Sequence, residues 1–226
     1  MLEIACIVDI GIRPKNDDRA AVNSTLIPLG THSEESGNSC LVVVCDGVGG
    51  YPYGDEAAAI VTELFASISG KKLNTETINE YIKKANESVM SAQKIDSNHS
   101  KMTTTIAGIY VNGDDFIAFN VGDSRIYRYR SYLSQISEDH SQNNQLIYYI
   151  GGNQVFPEIV EGIGRVFEKD FYILCTDGVW GVLEDNDFEK VLSVCENINE
   201  ACKTLISLAI EKGSQDNLSL IIIRRK

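Results

Sequence analysis

Blocks of apolar and polar residues along the chain predict the order of its secondary structure. Short continuous apolar runs that end at glycine or acidic turn residues are typical of strands buried on both faces. Together with one alternating stretch at 126–130, such runs predict strands at residues 2–9, 19–23, 41–46, 105–111, 116–121, 171–175 and 218–224. The Asn112-Gly113 pair between two of these strands indicates a hairpin turn.

Helical periodicity distinguishes several other stretches. Apolar residues recur at intervals of three and four positions through residues 54–69, which predicts a helix with one buried face. The same spacing predicts a second helix at about 75–93 and two further helices near 184–194 and 199–211.

The predicted elements follow one another as strands, two helices, strands, two helices and a final strand. Since strands and helices do not alternate, hairpin-connected antiparallel sheets with helices packed outside them are expected instead of a parallel doubly wound sheet. Residues 29–39 are polar and lack either period, so we expect a mobile surface loop there. No shift in composition marks a linker, which favours a single domain over residues 1–226.

Composition and charge narrow the functional classes. The chain has 226 residues, of which 43% are hydrophobic and 23% charged, as in an ordinary soluble globular protein. Its 20 basic and 32 acidic residues give a net charge of −12, which argues against a nucleic-acid partner because such a partner favours a basic surface. No apolar run is long enough to span a bilayer, and the N-terminus lacks the features of a signal peptide. We therefore expect no membrane partner and a cytoplasmic location.

The cysteines and histidines form no recognisable metal or disulfide pattern. The six cysteines include no Cys-x-x-Cys pair, and most lie in apolar runs, so they are expected to be small buried hydrophobic residues in a reducing compartment. The histidines are His32, His99 and His140, and their spacing is not that of zinc ligands.

Aspartates stand where several of the predicted buried strands end. They occur as Asp46-Gly47, Gly122-Asp123 and Asp177-Gly178, with Asp17-Asp18 and Asp216 in loops that flank strands. If these ends converge, the carboxylates raise one another's pKa unless cations offset their charge. Such an all-oxygen cluster suits hard divalent ions such as Mg²⁺ or Mn²⁺. For any one Asp-Gly pair by itself, a simple turn is the alternative interpretation.

A site with two such ions would suit phosphoryl transfer. Two ions bridged by one carboxylate can lower the pKa of a water between them and offset charge on a phosphoryl group. Arg13 lies a few residues before Asp18 and could hold phosphate oxygens bidentately. A surface ion pair is the alternative role for Arg13.

Seven motifs in a fixed order carry a resemblance to a known family. They are Arg13-x-x-Asn16-x-Asp18, Asp46-Gly47-Val48-Gly49-Gly50, Met102-Thr103-Thr104-Thr105, Gly122-Asp123-Ser124-Arg125, Asp139-His140-Ser141, Cys175-Thr176-Asp177-Gly178 and Gly213-Ser214-Gln215-Asp216-Asn217. Together the motifs resemble those of the metal-dependent type 2C serine/threonine protein phosphatases, in particular the compact bacterial-type members. The resemblance runs from about residue 5 to the C-terminus.

The resemblance implies an α+β fold, a four-layer αββα sandwich with two central antiparallel sheets and helices on both outer faces. It also implies Mg²⁺ or Mn²⁺ as cofactor, with two core ions and a more weakly held third. The implied roles are Asp46 as the bridge between the core ions, the Gly47 carbonyl as a ligand of one ion, Asp177 and Asp216 as ligands of the other, Asp18 as a nearby carboxylate acting through waters, Asp123 as a ligand of the third ion, and Arg13 as the phosphate-binding residue. Asn217 is expected to shape the loop that presents Asp216, and Thr103 and Thr104 to be strand-edge structure.

The chain departs from the family pattern in two places. Family members usually carry a histidine shortly after the Asp-Gly pair, where it can protonate the leaving alcohol, and here Tyr51-Pro52-Tyr53 takes that place. Tyrosine with a pKa near ~10 is a poor acid at neutral pH, although it can donate a hydrogen bond. Bacterial members also carry a helical flap, and residues 142–164 are too few and too polar for a full one.

The function implied by the resemblance is hydrolysis of phosphoserine and phosphothreonine in proteins. Phosphorylated proteins, a cognate serine/threonine kinase pathway and a monomeric state are the implied partners and assembly. The alternative is a non-catalytic pseudophosphatase that acts as a binding module, which the missing histidine favours and the complete set of acidic positions opposes. A phosphohydrolase with an aspartate nucleophile would require Asp-x-Asp after a strand, and Asp46-Gly47-Val48 does not provide it.

Overall fold

Two β-sheets packed face to face form the centre of the protein. The computed structural model describes residues 1–48, 53–143, 145–162 and 166–226. The strands are β1 (Leu2–Asp9), β2 (Arg19–Val22), β3 (Thr25–Ile27), β4 (Gly30–Ser36), β5 (Ser39–Cys45), β6 (Ile106–Asn112), β7 (Asp115–Val121), β8 (Arg125–Tyr129), β9 (Leu133–Gln135), β10 (Ser141–Gln142), β11 (Gln145–Leu146), β12 (Glu158–Gly162), β13 (Phe171–Cys175) and β14 (Leu218–Arg225). The helices are α1 (Gly54–Ala66), α2 (Thr75–Ala92), α3 (Asp177–Trp180), α4 (Asp185–Ser193) and α5 (Ile198–Glu211).

Within the described residues, both sheets are antiparallel throughout. One six-stranded sheet, called sheet A, has the order β4-β1-β14-β13-β8-β9. The other, called sheet B, has the order β12-β7-β6-β5-β2-β3. This arrangement confirms the predicted α+β class.

Three apolar clusters separate four layers of structure. Val42 of β5 and Ile221 of β14 lie in the cluster between the sheets. The neighbouring residues on the same strands face outwards, with Val43 beneath α1 and α2 and Ile222 beneath α3, α4 and α5. Because side chains alternate between faces and both faces are covered, these strands read in sequence as continuous apolar runs. The layers form the predicted αββα sandwich.

The helices lie close to their predicted positions. The start of α2 is fixed by Asn74, whose side chain accepts a hydrogen bond of 2.8 Å from the Thr77 N–H and leaves fewer unpaired amides in the first turn. The short helix α3 follows directly from β13 and was not predicted. No helix in the described part of the chain is long and apolar enough to cross a bilayer.

The prediction of a mobile loop at residues 29–39 is wrong. This stretch contains β4, which pairs with β1 at the edge of sheet A, with Glu34 opposite Ile4. None of the β4 side chains is buried, so backbone hydrogen bonds hold this strand and no apolar face reveals it in the sequence. A polar edge strand of this kind also discourages pairing with other chains.

The chain between β9 and β13 is mostly polar, as predicted. Its described residues form the β10–β11 hairpin and β12, which pairs with β7, and they contain no helix. Residues 144 and 163–165 lie outside the described part of the chain, so the shortened flap at about 142–164 stays a prediction. The single domain over residues 1–226 also stays a prediction.

Candidate metal centre

Loops from both sheets bring the predicted aspartates together. Asp46 and Asp123 follow β5 and β7 of sheet B, whereas Asp177 and Asp216 adjoin β13 and β14 of sheet A. All four line one cleft of about 1030 Å³, and Gly47 and Arg13 line it as well. Asp18, which precedes β2, is buried and has only 2% of its surface exposed. The structure therefore assembles the predicted set from opposite layers of the sandwich.

Asp46 is held by the two threonines that immediately precede β6. Its backbone N–H donates to Thr105 Oγ1 at 3.0 Å, and its carbonyl accepts from Thr104 Oγ1 at 2.8 Å and from the Thr105 N–H at 2.8 Å. Burial raises the pKa of the Asp46 carboxyl well above its usual range, and the charges of Asp18 and Asp177 raise it further. Thr103 and Thr104 were expected to be strand-edge structure, but Thr104 and the adjacent Thr105 also hold the backbone that carries this carboxylate.

The glycines of both Asp-Gly pairs lie against other backbone segments. A Cβ atom on Gly47 would fall 2.4 Å from the carbonyl carbon of Gly54, at the start of α1. A Cβ atom on Gly178 would fall 1.9 Å from the Asn217 carbonyl oxygen. A side chain at either position would therefore displace the chain around an aspartate.

Asp18 is anchored beneath the cleft by hydroxyl groups of sheet A. Its Oδ2 accepts hydrogen bonds from Thr176 Oγ1 at 2.8 Å and Ser219 Oγ at 2.7 Å. Burial raises the pKa of Asp18 to about 7, although these hydrogen bonds lower it, and the charges of Asp177 and Asp216 add to the rise. Thr176 and Ser219 were not singled out in the sequence, although Thr176 lies inside a recognised motif.

Asp123 lies beside a second polar network. Burial raises its pKa to about 6, and the charge of Asp177 contributes. Asp139, from the Asp-His-Ser motif, accepts hydrogen bonds of 2.7–3.1 Å from Arg125, whose guanidinium lies 3.6 Å from the centre of the Trp180 ring. This network ties β8 to the chain that enters the β10–β11 hairpin.

Arg13 occupies the rim of the cleft. Its Nη2 donates to Asp216 Oδ2 at 2.7 Å and its Nε donates to the Gln215 carbonyl at 2.9 Å. The Arg13 side chain is 46% exposed, so this ion pair contributes little to stability and the guanidinium is open to other anions. Both roles considered for Arg13, the ion pair and phosphate binding, are compatible with this position.

Asn217 joins the loop that follows β1 to the loop that precedes β14. Its Nδ2 donates to the carbonyls of Ile10 and Lys15 at 2.9 and 3.0 Å, and its Oδ1 accepts from the Asp17 N–H at 2.8 Å. Asn217 therefore acts on both loops, whereas the expected role concerned only the loop that presents Asp216.

The donor set fits hard divalent cations. The pKa values of Asp18, Asp46, Asp123 and Asp177 are all raised because burial and mutual repulsion disfavour their charged forms. Among the described residues, no group of three or more His, Cys, Asp or Glu side chains is arranged to hold an ion alone. Carboxylate oxygens are ligands that hard divalent ions such as Mg²⁺ accept, with carbonyl oxygens and waters completing the coordination.

Comparison with known proteins identifies the family. Residues 29–212 match the family model described as protein phosphatase 2C. The chain belongs to the protein phosphatase 2C family. A serine/threonine phosphatase of Listeria monocytogenes is 25% identical over 228 residues, covering 86% of this chain and 90% of that protein.

Solved structures of protein phosphatase 2C relatives share the fold. The serine/threonine phosphatase of S. agalactiae aligns with a TM-score of 0.85 and 24% identity, covering 100% of both chains. Serine/threonine phosphatase Stp1 from Staphylococcus aureus aligns with a TM-score of 0.86 and 24% identity, covering 100% of this chain and 96% of that one. The type 2C resemblance and the αββα sandwich are both confirmed.

The structure describes only part of Tyr51-Pro52-Tyr53, the segment in which the sequence departs from the family pattern. Tyr51 and Pro52 lie outside the described residues. Tyr53 has a left-handed φ of 71° immediately before α1, and its ring contacts that of His99 edge-on at a centroid distance of 4.0 Å. No pattern in the sequence indicates that His99 lies beside this segment.

Proposed function

We propose that this protein phosphatase 2C member hydrolyses phosphoserine and phosphothreonine in proteins, using Mg²⁺ or Mn²⁺. The observation that carries the proposal is that Asp46, Asp123, Asp177 and Asp216, from both sheets, line a single cleft. Buried Asp18 acts on this cluster, and the pKa values of Asp18, Asp46, Asp123 and Asp177 are raised. Such a cluster needs cations to offset its charge. Two core ions and a weakly held third would suit the number of carboxylates.

The proposed ligand roles follow the positions of the aspartates. Asp46 would bridge the core ions and the Gly47 carbonyl would complete one of them, while Asp177 and Asp216 would hold the other. Asp123 would hold the third ion, and Asp18, buried beneath the cleft, would act through waters. When bound, the ions supply Lewis acidity that activates water and offsets charge on the phosphoryl group.

The residues of the chain orient the substrate and the ligands. Arg13 would exchange part of its pairing with Asp216 for the phosphate oxygens, because a guanidinium binds them bidentately. Thr104 and Thr105 hold the backbone of Asp46, whereas Thr176 and Ser219 hold the carboxylate of Asp18 directly. The group that protonates the leaving alcohol would lie near Tyr51 or be a water.

A non-catalytic role is the alternative. The absence of the family histidine at position 51 is its only support in the sequence. Every acidic position of the motifs is retained, and none of the similar proteins described above is a pseudophosphatase. We therefore favour the enzyme.

The proposal extends to partners and location. Phosphorylated proteins are the substrates, a serine/threonine kinase pathway supplies them, and the protein works in the cytoplasm as a monomer. The phosphatase names of its relatives support the substrate class.

A metal-dependence assay tests the proposal. The purified protein should hydrolyse para-nitrophenyl phosphate and a phosphothreonine peptide with Mn²⁺ or Mg²⁺, and should lose both activities in chelator and regain them when metal is restored. A folded, Mn²⁺-loaded sample that binds the metal but turns over no phosphomonoester would refute the enzyme and favour the non-catalytic alternative.

A further inference from the structure

The loop that carries Asp123 is held on both sides of the aspartate. It lies where the chain crosses from β7 in sheet B to β8 in sheet A. Before Asp123, the Gly122 carbonyl accepts from the His140 N–H at 2.9 Å, and the Gly122 N–H donates to His140 Nδ1 at 3.3 Å. After it, Ser124 Oγ lies 2.7 Å from Thr105 Oγ1. These contacts tie the loop to sheet B and to the chain before β10, but they do not reach the turn that follows β13.

The strand register places Asp123 near Asp177, in that turn. β8 and β13 are antiparallel, and Arg125 is opposite Cys175 at one end of the register. Asp123 stands two residues before Arg125 and Asp177 two residues after Cys175, so both aspartates lie beyond the same end of this strand pair. Burial raises the pKa of Asp123, and the charge of Asp177 raises it further. Because the two charges repel each other, the distance between their loops depends on what joins them.

A stacked pair of side chains, Arg125 and Trp180, joins the two loops. The Arg125 guanidinium lies 3.6 Å from the centre of the Trp180 ring. Its Nε and Nη2 donate to the Asp139 carboxylate at 3.0 and 2.7 Å, and its Nη1 donates to the Tyr127 hydroxyl at 3.0 Å. Since every nitrogen of the guanidinium has a partner, the group is held in one orientation against the ring.

Trp180 belongs to the helix that begins at Asp177. α3 runs from Asp177 to Trp180, and the Gly178 carbonyl accepts a hydrogen bond of 2.6 Å from Ser214 Oγ, which fastens the helix to the loop before β14. The indole N–H is buried and has no acceptor among the described residues, so packing against Arg125 and the apolar cluster beneath α3 holds the ring. α3 is therefore the fixed support, and the stack joins the start of β8 to it.

We propose that Arg125 and Trp180 are positioning residues whose stack holds Asp123 at a fixed distance from Asp177 and thereby sets the affinity for the third ion. The proposal rests on the proposed function, in which Asp123 is a ligand of that ion. Neither side chain is among the described residues that line the cleft, so both act through the aspartate. Loss of a group that supports a metal ligand commonly lowers metal affinity about tenfold to a hundredfold.

Calorimetric titration of the metal-free protein with Mn²⁺ tests the proposal. The wild type should bind two ions tightly and a third weakly. Arg125→Lys and Trp180→Leu should weaken the third ion about tenfold and leave the two core ions within about twofold, because each variant loses the stack while the core ligands keep their supports. Trp180→Phe keeps an aromatic ring for the guanidinium and should stay close to the wild type.

Arg125→Gln separates the position of the side chain from its charge. Because a cation near the cleft repels metal ions, loss of the charge by itself would tighten ion binding. The proposal instead expects Arg125→Gln to weaken the third ion as much as Arg125→Lys does, since both variants lose the planar fork that binds Asp139 and stacks on Trp180.

Arg130 supplies a matched control just beyond the other end of β8. Its Nε and Nη2 donate to the Asp170 carboxylate at 2.7 and 2.8 Å, and its guanidinium lies 4.2 Å from the centre of the Phe167 ring. This stack has the same chemistry, but its residues are not among those described as lining the cleft or flanking an ion ligand. Arg130→Lys and Phe167→Leu should lower the melting temperature as the Arg125 and Trp180 variants do, and should leave the affinities for all three ions unchanged.

The outcomes separate positioning from folding and from the proposed function. The positioning role is overturned if the third ion binds to the Arg125 and Trp180 variants as to the wild type, or if all three affinities fall equally. It is also overturned if the wild type binds two ions but no third. Because Trp180 is partly buried, melting curves identify a misfolded Trp180→Leu, and the Arg125 variants then decide. No turnover of para-nitrophenyl phosphate by the Mn²⁺-loaded wild type refutes the phosphatase function itself.

Discussion

The dipeptide Asp-Gly follows a strand in each sheet, as Asp46-Gly47 after β5 and as Asp177-Gly178 after β13. The surroundings of these two sites, called the two corners, differ. At Asp46, Thr104 and Thr105, which precede the neighbouring strand β6, hold the backbone by hydrogen bonds. Burial, followed by the charges of Asp18 and Asp177, raises the carboxyl pKa well above its usual range. Asp177 instead begins a helix. Burial and Asp216 raise its pKa, but hydrogen bonds to Asp46 and to the Gly178 N–H and the charge of Arg13 oppose the rise.

The difference shows that the free-energy cost of burying an aspartate depends on the groups around it in the fold, and not on its local sequence. Asp46 lies where all the other carboxylates act on it, as expected for a bridge between ions. Asp177 has partners that partly stabilise its charge. We therefore expect the two corners to respond differently to substitution.

The largest effect should come from neutralising each aspartate. Asp46→Asn should lower kcat/KM on para-nitrophenyl phosphate about a thousandfold or more, and Asp177→Asn by about a hundredfold, because Asp46 is proposed to touch both core ions. In chelator, Asp46→Asn should raise the melting temperature more than Asp177→Asn, since it removes the more strongly perturbed charge. Equal shifts in both measurements would remove the distinction between the corners.

The metal-free protein should lose stability as pH rises. Carboxyls whose pKa is higher in the folded state bind more protons when folded, so the free energy of unfolding falls as pH increases through the range between the unfolded and folded values. That range runs from the ordinary value of 3.8 to about 6 for Asp123 and about 7 for Asp18. At about 1.4 kcal/mol for each pKa unit, the shifts correspond to a loss of about 3 kcal/mol from Asp123 and about 4 kcal/mol from Asp18.

Chemical denaturation in chelator at several pH values measures this loss. Saturating Mn²⁺ should reverse the trend, because the ions bind the ionised carboxylates. A metal-free protein whose stability is flat or rises across this range would mean that the carboxylates are not crowded as described.

The hydroxyls that support the carboxylates should have smaller effects. Thr105→Val removes the acceptor for the Asp46 N–H and a hydrogen bond of 2.7 Å with Ser124, while Thr176→Val removes a donor to Asp18. Each variant should lower the free energy of unfolding by about 1–2 kcal/mol. Thr105→Val should also weaken Mn²⁺ binding more than Thr176→Val, because it acts on the proposed bridge.

An exposed threonine supplies the matched control. The hydroxyl of Thr204 on α5 donates to the Glu200 carbonyl of its own helix at 2.8 Å, and Thr204→Val should leave both stability and Mn²⁺ affinity nearly unchanged. If Thr105→Val behaves like this control, the hydrogen bond between Thr105 and Asp46 contributes neither to stability nor to Mn²⁺ affinity.

The smallest effect is expected at Tyr51, after the first corner. Tyr51→His should leave activity within about twofold of wild type or raise it, since a histidine there can donate a proton at neutral pH. The pH profile of kcat on para-nitrophenyl phosphate should then gain activity on its acidic side. A large drop would instead assign Tyr51 a structural role.

The sequence alone was sufficient to predict the buried strands and the aspartates that follow them. The runs ending at Asp46, Asp123 and Asp177 are apolar because both faces of each strand are covered, and that pattern is legible without a structure. That several strands end at an aspartate raised the hypothesis that these ends converge. The order of the motifs then indicated the family.

What escaped prediction depends on contacts between distant segments. β4 has no apolar face, and it forms a strand because its backbone pairs with that of β1. Ser219 reaches Asp18 across 201 positions of sequence, and Asn86 reaches Gly151 across 65. A single hydroxyl or amide side chain leaves no periodic pattern in the sequence, so only the fold shows which polar groups it forms hydrogen bonds with.

Pairing of β1 with β14 has a consequence for how the protein is made. The register joins Leu2 to Arg225 and Asp9 to Leu218, and the loops that adjoin this pair carry Arg13 and Asp216. During synthesis, β1 is translated first, and it therefore cannot pair with β14 until the end of the chain has been translated. Contacts over such a separation form slowly. Until β14 pairs with β1, Asp216 cannot join the other carboxylates beside Arg13, so the cleft of a partly synthesised chain lacks one of its aspartates.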